Sequence, residues 1–410
     1  MKLSIIICLY NTKREYVKSA LSSITKSTLN KEDYEILVID DGSTEDYSQL
    51  TSFYNATYVK TENRGHLASR LFALMIAKGD YVAFCDSDDT VSFNYYAPML
   101  DKAIKSDCDI VINDWAFHSK NGKAYPKEDI TIKNDITLEN DQIIDYFTGA
   151  QGKYHSLFVL WNKVYKKSLL LKAKKELEKT DAIMERMGYS EDALLNFFAY
   201  KNAKKLSNIH TGYYFYRIHE EQSTAIDDCE ARLKSQIKSM AKTVRLMKAE
   251  LTDSKQISDI EEWGKLMSRV QYTTAKSLEL PGLYNIIKES YGVDTLETSK
   301  PRDEVGYIAN GLLGDNFDVV DSMLYDISKR KDKTIFLNYD MKDPYVSGSI
   351  DYMCARMNKS IRYFAKAPIA IPKRKVSLTQ KLFHSKLAYS VGLRLFKKGS
   401  KIRRKLKEKL

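Results

Sequence analysis

No stretch of 18 or more apolar residues occurs in the 410-residue chain. A membrane-spanning helix needs about that length, so none is expected. Cysteine is scarce, with Cys8, Cys85, Cys108, Cys229 and Cys354 as the whole set. An odd number at wide spacing excludes a disulfide framework and a zinc cluster. The first three lie in or beside apolar runs and read as small buried thiols of a reducing cytosol. A leader peptide is not expected either: MKLSIIICLYNTKRE has a brief apolar core and no small-residue cleavage site, so it reads as a first strand. Glycine is absent from Tyr10-Asn11-Thr12-Lys13-Arg14, directly after that strand. A sugar nucleotidyltransferase, which also uses an α/β sheet and acidic metal ligands, would carry a glycine-rich basic loop there.

What is present is ordinary for a globular protein, at 43% hydrophobic and 29% charged residues. The length suits about two to three domains. The net charge of +11 is uneven. Residues 373–410 hold fourteen Lys/Arg against one acid, Glu408, so the first 372 residues sum to about −2. Any reading of partners from charge therefore concerns the tail alone.

The most informative stretch is Gly79 to Asp89, GDYVAFCDSDD. Tyr81 to Cys85 is a short apolar run after a glycine, which fits a buried strand. It stops at Asp86-Ser87-Asp88-Asp89. Crowded carboxylates repel and call for a counter-charge. A hard divalent cation supplies one, and can also hold substrate phosphates. A solvated acidic turn is the plain alternative, but open α/β sheets place ligands at such strand ends.

Strands are expected over Leu3–Leu9, Tyr34–Ile39, Thr57–Lys60 and Asp109–Trp115. Helices are expected over Lys13–Lys26, His66–Lys78 and Phe93–Ser106. In the first, Tyr16, Val17, Ala20, Leu21 and Ile24 share a face. Ser43 or Thr44 is a candidate helix cap. The alternation implies a mostly parallel sheet with helices on both faces. Right-handed crossovers then bring Tyr10-Asn11, Asp40-Asp41 and Asp86–Asp88 to one rim. Farther on, Asn121-Gly122 suits a hairpin turn, Leu138–Phe147 reads as a helix, and so does the segment from Lys166. A further helix opens at Tyr189-Ser190-Glu191-Asp192, with Ser190 as its cap and the two acids against its dipole. Leu206–Ile209 and Tyr213–Ile218 read as strands.

In this order, SIIICLYN, VIDDGSTED, ENRGHLASR, GDYVAFCDSDD, LWNKVY, YSED and YRIHEEQST resemble the family 2 glycosyltransferases of the GT-A fold over residues 1 to about 225. One departure is Ser69-Arg70-Leu71 where the family often has Ala-Arg-Asn. The resemblance implies inverting transfer of a sugar from a nucleotide diphosphate, most often UDP, to a hydroxyl, with Mn²⁺ or Mg²⁺. By the match, Asp88 ligates the metal and Asp86 contacts ribose or metal. Asp41 accepts from the uracil N–H, with Cys8, Tyr10, Asn63 and Arg70 around base and ribose. Trp161, Lys163, Arg217 and His219 line the sugar and diphosphate pocket. Asp192 is the base that deprotonates the acceptor, and Glu191 is its competitor.

Residues 228–372 are expected to be a mainly helical accessory domain, packed on the catalytic domain of residues 1–225 or on a second copy. Leu233, Ile237, Met240, Val244 and Met247 fall at helical core spacing. Thr334–Asn338 reads as a strand and Pro368–Pro372 as a linker. The tail, 373–410, is basic and amphipathic, with Ile402, Leu406 and Leu410 on one stripe. That pattern fits an anionic membrane surface and not nucleic acid, since no binding module is present. The expected setting is cytoplasmic, on the inner face of the cell membrane. The acceptor would be a glycan, polyol phosphate or lipid-linked group, and the protein a possible homo-oligomer. A non-catalytic glycan- or membrane-binding module is the other alternative.

Overall fold

The computed structural model describes residues 1–120, 123–126, 135–149, 155–182, 187–219 and 230–297. The tail, the 334–338 strand, the 368–372 linker, the Asn121-Gly122 turn, Cys229 and Cys354 lie outside these residues.

The chain opens β1 (Leu3–Leu9), α1 (Arg14–Thr25), β2 (Tyr34–Asp40), α2 (Ser48–Phe53), β3 (Thr57–Lys60), α3 (His66–Ile76) and β4 (Tyr81–Asp86). β5 (Thr90–Val91), α4 (Tyr96–Lys105), β6 (Ile110–Asn113), β7 (Ala116–Lys120) and β8 (Lys123–Pro126) follow. Then come β9 (Thr137–Glu139), α5 (Asp141–Gly149), β10 (Lys163–Lys166), α6 (Lys167–Leu177), α7 (Glu191–Asn202), β11 (Lys205–Ile209) and β12 (Tyr214–Arg217). Three helices close the described part: α8 (Glu230–Ala249), α9 (Ser254–Ser277) and α10 (Leu283–Tyr291).

The main sheet has eight strands in the order β3-β2-β1-β4-β10-β6-β11-β9. Neighbours from β3 to β4 are parallel, β10 runs against both β4 and β6, and β11 is parallel to β6. Two-faced burial explains the near-continuous apolar strands. Leu3, Ile5, Ile7 and Leu9 pack with Val17, Leu21 and Ile24 of α1 and Met99 of α4. Ile6 and Cys8 point the other way, into a cluster with Leu67, Leu71 and Leu74 of α3. From β1 the chain moves outward through β2 and β3, then returns to place β4 on the other side. The strand order thus switches between β1 and β4, where ligands bind in open α/β sheets.

Two segments differ from expectation. Leu138 lies in β9, paired with Leu206 of β11, and the helix begins only at Asp141. The apolar content suited both, and strand pairing decided it. The 110–120 segment is two strands in two sheets, broken where the Asn113 side chain bonds Thr211 O and the Trp115 amide. β7 belongs to a four-stranded sheet, β5-β12-β7-β8.

The α8 and α9 helices pack on the main sheet's own helices. Met240, Val244 and Met247 of α8 and Trp263 of α9 join the same apolar cluster as α3 and α7. The Trp263 ring stacks on Phe158 at 5.1 Å. Among the described residues no helix is long and apolar enough to cross a membrane.

Candidate active site

The parallel register sets Cys8 of β1 beside Ile39 and Asp86, and Leu9 beside Asp40. The loops after β1, β2 and β4 therefore emerge together, as the sequence implied. They are cross-linked there. The Asn11 amide donates to Ser43 Oγ at 2.8 Å, the Thr44 amide donates to Asn11 Oδ1 at 2.9 Å, and Thr12 and Ser87 share a hydroxyl bond of 2.8 Å. Ser43 and Thr44 are occupied in this way and cap no helix; α2 starts at Ser48, after Tyr47.

Asp41 is buried and holds the 63–65 loop. Its carboxylate accepts from the Arg64 amide at 2.8 Å, the Gly65 amide at 2.8 Å and the Ser69 hydroxyl at 3.0 Å. A carboxylate has about four acceptor positions, so about one is left for a ligand. Nearby, Asn63 Oδ1 is buried without a hydrogen-bond partner among the described residues. Such an atom is normally satisfied, so it suits a ligand donor. Tyr10 is exposed, while Cys8 lies at the floor with its thiol pushed up to about 12 by burial.

Arg70 is the hub. Its guanidinium donates to Glu191 Oε1 at 2.8 Å and lies 3.7 Å from Asp86 Oδ1. It joins the end of β4 to the start of α7, and its bond to Glu191 spans 121 positions of the chain. Burial alone would lower its pKa, and Glu191 and then Asp86 raise it instead. Burial pushes Asp86 up to about 7; Arg70 pulls the other way and Asp88 adds to the rise. The Asp86 carboxylate sits deep yet open, with 34% of its side chain accessible.

Asp192 differs from expectation in its electrostatics. The helix start should lower a carboxylate. Burial and the neighbouring Glu191 outweigh that and bring Asp192 up to about 6, while Arg70 pulls downward. Ser190 does not cap α7 either. It adopts a left-handed φ of 61° and its hydroxyl bonds Thr243 of α8 at 2.8 Å. Glu191, read from the sequence as a dipole-compensating acid, is a buried ion-pair partner. The adjacency of two acids to a helix start was the available signal; the buried arginine that distinguishes them is far away in sequence.

On the other side, His219 Nε2 lies 2.8 Å from Asp88 Oδ2, and Arg217 Nε donates to the Asp88 carbonyl at 2.6 Å. Tyr16 completes this corner. The Arg217 guanidinium sits 4.5 Å from its ring centroid and the His219 ring 5.0 Å away. Tyr16 was expected to share the buried face of α1, but it is half-buried beside these two side chains. Asp89 is structural: it is buried and accepts from the Arg217 amide at 2.7 Å, pinning β12 to the end of β4.

Lys163 and Trp161 correct the expected pocket lining. Lys163 is wholly buried, and its Nζ donates to Ser156 O at 2.5 Å, to Asn162 Oδ1 at 2.7 Å and to Val159 O. Burial pushes it well below the ordinary lysine value, yet three acceptors call for three N–H donors, which only the ammonium has. It organises the 156–163 loop from inside. Trp161 is buried and stacks flat on Tyr214, centroids 4.1 Å apart.

A divalent metal fits only in part. Among the described residues no group of three His, Cys, Asp or Glu is arranged to hold an ion. Asp88, 24% exposed at the side chain, offers carboxylate oxygens of the type Mg²⁺ and Mn²⁺ take. Such ions are commonly held by one or two carboxylates, with substrate phosphates and water completing the shell.

Comparison with known proteins agrees with this layout. Residues 4–170 match the model of glycosyl transferase family 2. A poly(ribitol-phosphate) beta-glucosyltransferase of Bacillus spizizenii is 30% identical over 215 residues, covering 50% of this chain and 31% of that protein. The glycosyltransferase GlyA of Streptococcus pneumoniae is 28% identical over 228 residues, covering 53% and 30%. The matched part thus spans less than a third of either relative. The structure of residues 1–349 of S. aureus TarS in complex with UDP-GlcNAc superposes with a TM-score of 0.54 at 19% identity, covering 87% of this chain and 92% of that one. Residues 4–170 are thus similar to glycosyl transferase family 2, and the chain has the GT-A fold.

Proposed function

We propose that the protein is an inverting glycosyltransferase that moves a sugar from a UDP-sugar to a hydroxyl of a surface glycan, teichoic acid or glycolipid. One observation carries the reading: Arg70 brings the acidic end of β4 and the acidic start of α7 to a single cleft at the β1/β4 switch point. That is the arrangement an in-line displacement needs, with a diphosphate on one side of the sugar and a base on the other.

In this reading Asp41, Asn63, Tyr10 and Cys8 receive the base and ribose, and Asp86 and Asp88 face the diphosphate. A divalent ion bound at Asp88 supplies positive charge to the leaving group. Arg217 and His219 flank Asp88 and hold its geometry. Asp192 takes the proton of the acceptor hydroxyl as the oxygen bonds to the anomeric carbon and the bond to the diphosphate breaks, releasing UDP. Residues 373–410 hold the enzyme at an anionic membrane surface.

Relatives named as a beta-glucosyltransferase and a beta-N-acetylglucosaminyltransferase support sugar transfer as the reaction. The test is product identity. Incubation with UDP-sugars and Mn²⁺ should release UDP, and a thermal-shift screen of UDP-, GDP- and dTDP-sugars should favour UDP. Pyrophosphate release would instead indicate a nucleotidyltransferase.

A further inference from the structure

β7 and β12 run parallel, with Phe215 opposite Phe117 and Arg217 opposite Ser119. Alternation puts Tyr213, Phe215 and Arg217 on one face, with Trp115 and Phe117 beside them. On that face the rings touch in series. Trp115 stacks on Tyr213 at 5.5 Å and 10°, Phe117 meets Tyr213 edge-on at 5.0 Å, and Phe117 stacks on Phe215 at 6.0 Å. All four are half-buried. On the opposite face Tyr214 is buried under Trp161, while Tyr216 is half-buried. The four-ring face is the more open of the two.

The open face is continuous with the active site. One end is Arg217, bonded to the Asp88 carbonyl. The other is His210, whose ring lies 6.0 Å from Trp115 and whose Nδ1 is 2.7 Å from the buried Asp114 carboxylate. From Tyr213 to Arg217 the strand covers about 13 Å, at ~3.3 Å per residue. A contiguous apolar strip with polar ends marks an interaction surface. Flat aromatic faces carry negative potential that attracts C–H groups. A pyranose presents such a C–H face, with hydroxyls at its edge for Arg217 and for the exposed Asp135 carboxylate, which lies 3.3 Å from His210 Nε2. A ring-free polyol phosphate presents none. The nucleotide base is expected at Cys8, Asn63 and Arg70, near β1 and α3.

We propose that Trp115, Tyr213, Phe117 and Phe215 form the acceptor subsite. There the strip binds pyranose rings of a saccharide acceptor and leads its terminal hydroxyl to the cleft between Asp88 and Asp192. This rests on the glycosyl-transfer reading above.

Trp115 provides a direct probe. The other tryptophans, Trp161 and Trp263, are buried, so a ligand on the strip reports through Trp115 fluorescence. The full-length protein is titrated with hexose and N-acetylhexosamine oligosaccharides, and with poly(ribitol phosphate) as the ring-free comparison. Wild type should show a saturable change with a saccharide, absent in Trp115→Phe. Trp115→Ala should raise the acceptor KM roughly tenfold while UDP affinity and acceptor-free UDP release stay unchanged. No saccharide response, or a response to the polyol phosphate alone, overturns the proposal. So does an unchanged acceptor KM in Trp115→Ala with UDP release intact; a lowered melting temperature alongside would assign the strip to packing against the chain's own residues. If wild type releases no UDP from any donor but Trp115 still answers to a saccharide, the transfer reading fails and the strip stands as a saccharide site.

Discussion

Lowering the pH should silence the base before it unfolds the protein. Asp192 sits at about 6 because burial and Glu191 raise it, against the pull of Arg70. A general base acts only when ionised, so its ionised fraction falls from about nine-tenths at pH 7 to about one-tenth at pH 5. The kcat, measured at saturating donor and acceptor, should drop roughly tenfold over that interval. Saturation matters because it removes pH effects on substrate binding, including those of Asp86, which burial raises to about 7. Glu191→Gln removes the second cause of the rise and leaves Arg70, among the described residues, with Asp86 as its remaining ion-pair partner. Both changes favour ionised Asp192, so the acid limb should move to lower pH. The assay is product formation by chromatography from pH 5 to 8 for both proteins. A kcat that stays flat down to pH 5, or a limb that moves to higher pH in Glu191→Gln, would refute the reasoning.

Three further outcomes are expected. Asp88→Ala should abolish Mn²⁺-dependent UDP binding in calorimetry with an unchanged circular dichroism spectrum; near-wild-type transfer would contradict the metal assignment. Lys163→Met leaves two backbone carbonyls and Asn162 without their donor and should cost about 2–4 kcal/mol, seen as a melting temperature several degrees lower. An unchanged melting point would return Lys163 to the pocket. Removing residues 373–410 should leave UDP release near normal and free the protein from anionic liposomes, and equal co-sedimentation of both forms would exclude the tail as the anchor.

The sheet and its rim were readable because their signals are local. Buried parallel strands announce themselves as apolar runs, and the acids at Asp40-Asp41 and Asp86–Asp88 stand where those runs stop. Asp192 was singled out only through the ordered motif set, and its raised pKa was not legible there. Burial at the start of α7 is a tertiary fact, and with Glu191 it reversed the local effect of the helix start. Lys163 misled for the same reason: a lysine beside a tryptophan suits a sugar pocket, but three carbonyl-type acceptors drew it inside. Tyr16 lies on an otherwise buried helix face, and only the packing of β12 showed it under Arg217. The aromatic strip was illegible because its members come from positions 115 to 117 and 213 to 215, and register alone unites them.

The central claim is that one cleft holds the UDP-sugar on the β4 side and a base on the α7 side. Asp192→Asn keeps the side chain's shape and removes its basicity. Calorimetric UDP affinity should stay within about twofold of wild type while transfer falls by about 10²–10⁴. Normal transfer by Asp192→Asn, or loss of UDP binding in step with activity, would contradict it.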